Sequence, residues 1–138
     1  DRAVRSSDTW TLKGYWATPL PTGSLSIAGS ASAIGSDSAE IAASVYSLSV
    51  RYVPKTDIFG AVPSLEIART YRDYDRVVYG TRPRQDHGTV VTGELFFKSF
   101  ELYGFAPTIG AVYSRNTSNV TIFDYEEYGM TFGVRSTF

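Results

Sequence analysis

Apolar and polar residues alternate along most of the chain, and alternation with a period of two predicts β-strands. The clearest run is 128–138, where every second residue from Tyr128 to Phe138 is apolar except Ser136. The residues between them are small, polar or charged. Helical periodicity occurs only briefly, over residues 38–47, before alternation replaces it.

The same pattern recurs in earlier segments, centred on residues 10–16, 25–34, 46–52, 65–71, 91–98 and 107–113. With the last run they predict about seven strands, close to the roughly 9–11 residues that a tilted membrane strand needs. The predicted fold class is all-β, an antiparallel transmembrane β-barrel with about 7–8 strands present. We expect residues 1–138 to form one such segment, the C-terminal part of a larger barrel. Alternation alone also fits a soluble sandwich, whose apolar face meets a core and whose polar face meets water.

The connections between these segments differ in character. Two connections are short, at residues 18–23 and 101–104. Three others are polar, at 35–40, 73–88 and 115–127, and the last two of these are long. Outer-membrane barrels have short periplasmic turns and longer extracellular loops, so this contrast favours a barrel. Residues 55–62 would then be a periplasmic turn that is longer than usual. An eighth strand, if present, is expected at 76–80 and would permit a small closed barrel.

Aromatic residues cluster near both ends of the predicted strands. Amphipathic rings favour the two head-group regions of a membrane, where they form girdles. The alternative is that the rings belong to the core of a β-sandwich. That explains each ring individually, but it explains their placement at both ends of the strands less well. The predicted girdle residues are Trp10, Trp16, Tyr46, Tyr52, Tyr71, Tyr113 and Tyr128.

The charge balance excludes several functions. With 13 basic and 14 acidic residues the net charge is −1, so the basic excess of a nucleic-acid-binding surface is absent. There is no cysteine, and no apolar stretch is long enough for a membrane-spanning helix. His87 stands alone in a polar run beside Asp86, and we interpret it as a solvated loop histidine. We expect neither enzymatic activity nor a metal or cofactor.

Several charged residues share the register that would face the barrel lumen. Because both signs occur, we expect salt bridges that fix the strands; the alternative is contact with a transported polypeptide or a plug. Arg69 falls instead on the outward register, which is costly in lipid unless it lies near the interface. The predicted lumen-facing charges are Lys13, Arg51, Glu66, Arg72, Glu94, Lys98 and Arg135.

The end of the chain resembles known sequences. The alternation of Met130, Phe132 and Val134 before a terminal Phe138 resembles the C-terminal signature of bacterial outer-membrane proteins. The stretches 104–107 (GFAP), 113–116 (YSRN), 118–120 (SNV) and 124–125 (DY) resemble the surface lipoprotein assembly modifier (Slam) family. Ala106 and Val120 replace the threonine and isoleucine usual there, and Glu126 and Glu127 stand where a basic residue is common. The loop residues that match are Arg115, Asn116, Ser118, Asn119, Asp124 and Tyr125.

This resemblance, which covers residues 104–138 well, implies a bacterial outer-membrane barrel that helps move lipoproteins to the cell surface. The implied partners are outer-membrane lipid, the barrel-assembly machinery, lipoprotein cargo and further barrel strands from the same or another chain. The resemblance also implies an upstream periplasmic tetratricopeptide domain in full-length members. No tetratricopeptide sequence pattern occurs in this chain. Because the chain begins at Asp1, we expect a processed product or a fragment. The alternatives are a porin or small barrel, and a soluble β-barrel that binds an apolar ligand.

Overall fold

In the described part of the chain, a single antiparallel sheet contains seven strands, each hydrogen-bonded to the next in chain order. A computed structural model describes residues 7–36 and 41–137. The predicted all-β fold is confirmed. The strands are β1 (Ser7–Leu20), β2 (Gly23–Ser36), β3 (Ala43–Pro54), β4 (Val62–Tyr74), β5 (Gln85–Phe96), β6 (Phe105–Ser118) and β7 (Tyr125–Ser136), with short 3-10 turns at Lys98–Phe100 and Thr121–Phe123. Within these ranges, no helix is long and apolar enough to span a membrane.

The sheet does not close on itself. In the described ranges β1 pairs with β2 alone, and β7 pairs with β6 alone. This open sheet is consistent with part of a barrel. The prediction of a possible eighth strand at 76–80 is wrong, because these residues form bends and a turn between β4 and β5. Gly80 has a φ of +77° there, which an extended strand does not use.

The strands are longer, and the loops shorter, than the sequence suggested. The loops predicted at 73–88 and 115–127 contract to 75–84 and 119–124, because polar residues at the ends of β4, β5, β6 and β7 pair across the sheet. We call the end of the sheet with connections 21–22, 55–61 and 97–104 the turn end, and the opposite end the loop end. Since connection lengths overlap between the ends, the expected contrast between short turns and long loops is weaker than predicted.

The cross-strand register makes two continuous faces. Trp16, for example, pairs through Ile27, Val50, Ile67 and Val91 to Tyr113 and Tyr128, so one apolar row crosses all seven strands. We call this side the apolar face and the other the polar face. Further residues of the apolar face are Trp10, Leu12, Leu25, Tyr46, Leu48, Tyr52, Leu65, Leu95, Ile109, Met130, Phe132 and Val134, and residues of the polar face include Lys13, Ser30, Ser47, Arg51, Glu66, Thr70, Thr92, Glu94, Asn116, Thr131 and Arg135.

Among residues 7–36 and 41–137, no second layer of structure covers the apolar face. Met130, Phe132 and Val134 are 68%, 72% and 73% exposed. The buried apolar residues of the described ranges are Ala42, Ala43, Ala61, Tyr74 and Ala106, which do not amount to a hydrophobic core. A soluble domain places such a face against another sheet or a helix. A contiguous exposed apolar surface of this kind marks contact with a membrane or a partner.

At the turn end, residues 58–61 and 102–105 form tight turns of the same type. Ile58 and Ala61 exchange backbone hydrogen bonds of 2.8 and 3.0 Å, and so do Leu102 and Phe105. The two central residues of each turn have positive φ, at Phe59 (52°) and Gly60 (75°) and at Tyr103 (52°) and Gly104 (79°). This is the pattern of a type I′ turn, for which asparagine followed by glycine is preferred. Both rings project into the surroundings, with Phe59 94% and Tyr103 90% exposed.

We predict that Phe59→Asn and Tyr103→Asn each raise the free energy of unfolding by about 1 kcal/mol, because asparagine tolerates the left-handed conformation better than a bulky residue. The urea midpoint of the folded protein, followed by far-ultraviolet circular dichroism, measures this. Gly60→Ala is the matched contrast, since it places a Cβ at positive φ and within 3.1 Å of Ser99 Oγ. It is expected to lower the midpoint; an asparagine variant that lowers it equally contradicts the assignment.

Candidate functional site on the polar face and its loop end

The structure brings most of the predicted inward charges onto one face. Lys13, Arg51, Glu66, Arg72, Glu94 and Arg135 all belong to the polar face by register. Lys98 has no such register, because β5 ends at Phe96 and Lys98 lies in the following 3-10 turn. Alternation along β5 therefore does not place Lys98 on either face. That the polar face surrounds a lumen stays a prediction.

One expected salt bridge crosses a whole strand. Arg135 Nη2 on β7 lies 2.5 Å from Glu94 Oε1 on β5, reaching over β6. Gly110 of β6 stands opposite Glu94, and Ala106 stands opposite Arg135, so β6 has small residues beside both charged groups. A Cβ at Gly110 would lie 2.5 Å from Thr131 Oγ1, which shows how closely β6 and β7 pack on this face. The guanidinium of Arg135 also lies 5.2 Å from the centre of the Phe96 ring.

The polar face of β1 to β3 has a different lining, made of small residues. Hydroxyls pair across the strands, with 3.0 Å between Thr11 Oγ1 and Ser32 Oγ and 2.6 Å between Ser30 Oγ and Ser47 Oγ. A groove of about 530 Å³ opens beside them, with Lys13 and Glu66 among its lining residues. The polar face of β1 to β3 therefore combines small hydroxyl residues with the single charges of Lys13 and Arg51, and it is open at the groove.

The loop end of this face is organised around Arg84. Its Nε and Nη2 donate to the two carboxylate oxygens of Asp86 at 2.9 and 2.5 Å. Its guanidinium lies 3.3 Å from the centre of the Phe123 ring and 4.7 Å from that of Tyr74. Asp86 is 6% exposed. Burial is the largest single influence on the pKa of Arg84 and lowers it, but the hydrogen bond to Asp86 and the charge interactions with Tyr74, Asp86 and Tyr79 together raise that pKa above the ordinary value.

Asparagine and aspartate side chains tie the two loops together. Asn119 Oδ1 accepts from the Gln85 backbone N–H, and Asn119 Nδ2 donates to the Pro83 carbonyl, both at 2.8 Å. Asn116 Nδ2 donates to the Phe123 carbonyl at 2.8 Å. Asp124 Oδ1 accepts from the Ser118 backbone N–H at 2.6 Å. Since Asp86 and Asn116 belong to the polar face, loops 75–84 and 119–124 fold over that face at its β4–β6 end.

Sequence reasoning placed part of this cluster wrongly and missed its centre. Arg115, Asn116 and Ser118 lie in β6, and Tyr125 begins β7, so of the six predicted loop residues only Asn119 and Asp124 are in the loop. Arg84, Tyr74 and Phe123 were missed. The available signal was the Arg84–Asp86 spacing, because residues two apart on an extended chain share a face.

His87 is exposed but lies in β5 rather than in a loop. Its ring lies on the apolar face, 4.9 Å from Tyr71 between centres, whereas Asp86 points to the polar face. The two neighbours therefore cannot act together as an acid–base pair. The described residues contain no group of three His, Cys, Asp or Glu that could hold a metal ion.

The predicted girdle residues all belong to the apolar face. Ring centres of Tyr46 and Tyr71 lie 6.4 Å apart, and those of Tyr113 and Tyr128 lie 5.1 Å apart. Tyr52 is anchored at the turn end, where its hydroxyl donates to the Thr22 carbonyl at 3.0 Å. Met130, Phe132 and Val134 alternate along β7 as expected, while Phe138 lies outside the described residues. Their roles as a membrane girdle and an assembly signal stay predictions.

We predict that Arg84→Met loosens both loops by about 2 kcal/mol, because it leaves the buried Asp86 carboxylate without its hydrogen-bond partner. Hydrogen exchange of the backbone amides in 75–84 and 119–124 measures the loss. Arg82→Met is the control, since it removes an exposed arginine of the same loop. Equal exchange in the two variants would show that the Arg84 cluster does not hold the loops.

The family of the chain follows from its similarity to known proteins. A search of curated proteins and of solved structures returned no match. The family model for the surface lipoprotein assembly modifier matches residues 55–138, more than half of the chain. The match begins well before residue 104, where the resemblance seen in the sequence begins, and it includes β4 to β7 and both loops of the Arg84 cluster. The chain therefore belongs to the surface lipoprotein assembly modifier family.

Proposed function

We propose that the chain supplies strands of an outer-membrane β-barrel that assists the movement of lipoproteins to the cell surface without catalysing a reaction. Membership of the family supports a role in surface lipoprotein assembly. The all-β sheet supports a barrel. The proposal adds that this sheet spans the membrane and that cargo moves with its help.

The observation that carries the proposal is the uncovered apolar face. In a membrane barrel this face meets lipid, and the polar face turns towards the interior. A soluble barrel that binds an apolar ligand would need the opposite arrangement, with the apolar side enclosed. Leu12, Leu48 and Phe132 are instead more than half exposed. Lipid is the simplest cover for an apolar surface that runs across every strand.

The unpaired edges support a larger assembly. β1 and β7 are long strands, of 14 and 12 residues, and each offers a row of backbone groups along its outer side. Backbone groups left unpaired within lipid are costly, so a spanning sheet must close. We propose that further strands, from the same or another chain, pair with both edges. The apolar alternation of β7 would serve the barrel-assembly machinery during insertion.

The lining of the polar face suits passage of a polypeptide better than selection of one ion. The Glu94–Arg135 pair neutralises its own charges, and the small hydroxyls of β2 and β3 leave the groove open. The loops around Arg84 would narrow access at the loop end, which we assign to the extracellular side. The charges that remain on this face, such as Lys13 and Glu66, could then contact cargo.

We predict that Val50→Arg prevents stable folding in lipid vesicles, because an arginine on the lipid side near the bilayer centre costs about 2–4 kcal/mol. Ser49→Arg is the matched control. It puts the same side chain on the adjacent residue of β3, where Ala28 and Ala68 are the cross-strand neighbours on the polar face. Folding is measured, after extraction from vesicles, as the fraction of the protein that migrates differently unheated than boiled. Equal tolerance of both variants contradicts the assignment of faces.

We predict that cells lacking the full-length protein retain lipoproteins inside the outer membrane. Protease treatment of intact cells, followed by detection of each surface lipoprotein, measures their exposure. Expression of the wild-type protein should restore exposure. A deletion that leaves lipoprotein exposure intact but reduces uptake of small solutes would overturn this proposal in favour of a porin. A protein that remains in the soluble fraction without detergent would overturn both.

A further inference from the structure

Resting on the proposed function, we propose that Arg69 and Arg115 bind the terminal phosphate (a phosphomonoester) of an anionic lipid head group on the apolar face, towards the loop end. Arg69 lies on the same face as Leu48 and Thr89, its partners on the neighbouring strands. Thr89 in turn pairs with Arg115 of β6. The two arginines therefore flank Thr89 on one surface, with Cα atoms roughly 10 Å apart across two strand spacings.

The charge of Arg69 is uncompensated. Its side chain is exposed, and within residues 7–36 and 41–137 it makes no hydrogen bond or ion pair. Arg115 stands opposite Glu126, whose carboxylate also accepts a hydrogen bond of 2.7 Å from the Tyr128 hydroxyl. Asp73, the acid of β4 on this face, lies one residue from the strand's loop end and is hydrogen-bonded to the Tyr71 side chain rather than to Arg69. The local surface is thus cationic at Arg69 and close to neutral at Arg115.

Arg69 borders a groove rather than a flat surface. The groove measures about 240 Å³, and its lining includes Tyr46, Tyr71 and His87. These three rings form a row, with centres 6.4 Å apart for Tyr46 and Tyr71 and 4.9 Å apart for Tyr71 and His87. Rings with an apolar body and a polar edge are typical of the head-group level of a membrane. The groove therefore offers hydrogen-bond donors beside a guanidinium.

A phosphorylated lipid fits both the arginines and the apolar residues of this surface. The guanidinium fork of arginine matches the oxygens of a phosphate and can bind two of them at once. Arg69 lies five residues before the loop end of β4. Because an arginine on the lipid side is costly away from the interface, a lipid phosphate that binds Arg69 would offset part of that cost. Leu48 and Ile67 adjoin it on the apolar face and would contact the acyl chains. Free phosphate would use the arginine but gain nothing from these neighbours.

The test is native mass spectrometry of the full-length protein in detergent, with counting of bound lipid. The probes are phosphatidic acid, phosphatidylcholine as the zwitterionic reference, and inorganic phosphate as a competitor. We expect selective retention of phosphatidic acid and about tenfold weaker binding by Arg69→Gln, since a hydrogen-bonded charge pair is lost. Arg115→Gln should weaken binding less, and Arg69→Lys should restore part of it.

Arg51→Gln is the matched control, because it removes the same charge from the polar face of β3. Heat-modifiable migration verifies that each variant is folded. Equal retention of both lipids, or an Arg69→Gln variant that binds like wild type, overturns the inference while leaving the barrel proposal intact. Displacement of the lipid by an equal concentration of inorganic phosphate assigns the site to the free ion and also overturns it. A protein that needs no detergent overturns the barrel proposal and this inference together.

Discussion

The pairing register of the strands is the constraint on which every other feature depends. Successive side chains of a strand point to opposite sides, so a shift of one residue would exchange the faces of that strand. Here the register holds from β1 to β7, and each strand contributes apolar residues to one side and small or charged residues to the other. Two coherent surfaces result, although the sheet has no hydrophobic core of its own. Such a sheet needs an external apolar phase on one side, which lipid supplies in the proposed barrel.

The connections at the two ends of this sheet differ in structure more than in length. At the turn end, two turns of the same type hold Phe59 and Tyr103 in a conformation that asparagine or glycine adopts more readily. At the loop end, Arg84 contacts the Asp86 carboxylate of β5, the Tyr74 ring at the end of β4 and the Phe123 ring of the 119–124 loop. The first end presents exposed rings, and the second has an ordered cover over part of the polar face. This difference between the ends suits a protein whose two sides meet different compartments.

The sequence was sufficient for the features that depend on local periodicity. The strands, the faces and the side on which Arg69 lies all follow from alternation, because the period of a strand does not depend on distant contacts. The ends of the strands were predicted less well. Arg115 to Ser118 are polar enough to suggest a loop, yet they pair with β5 and so extend β6. The turn at Ile58–Ala61 lacks the usual asparagine, so its type was not evident from the sequence. Arg84 was missed because its partner Phe123 lies in another loop, and only the fold brings the two together.

The central claim is that the apolar face meets lipid and the polar face meets water. Because the chain has no cysteine, single cysteines can be introduced without background. The most direct measurement is labelling of cysteines at positions 130 to 135 of the full-length protein in its native membrane. A charged, water-soluble thiol reagent would be compared with an uncharged, lipid-soluble one. The account predicts that the charged reagent modifies positions 131, 133 and 135 and spares 130, 132 and 134. Equal modification of all six by the charged reagent would contradict it.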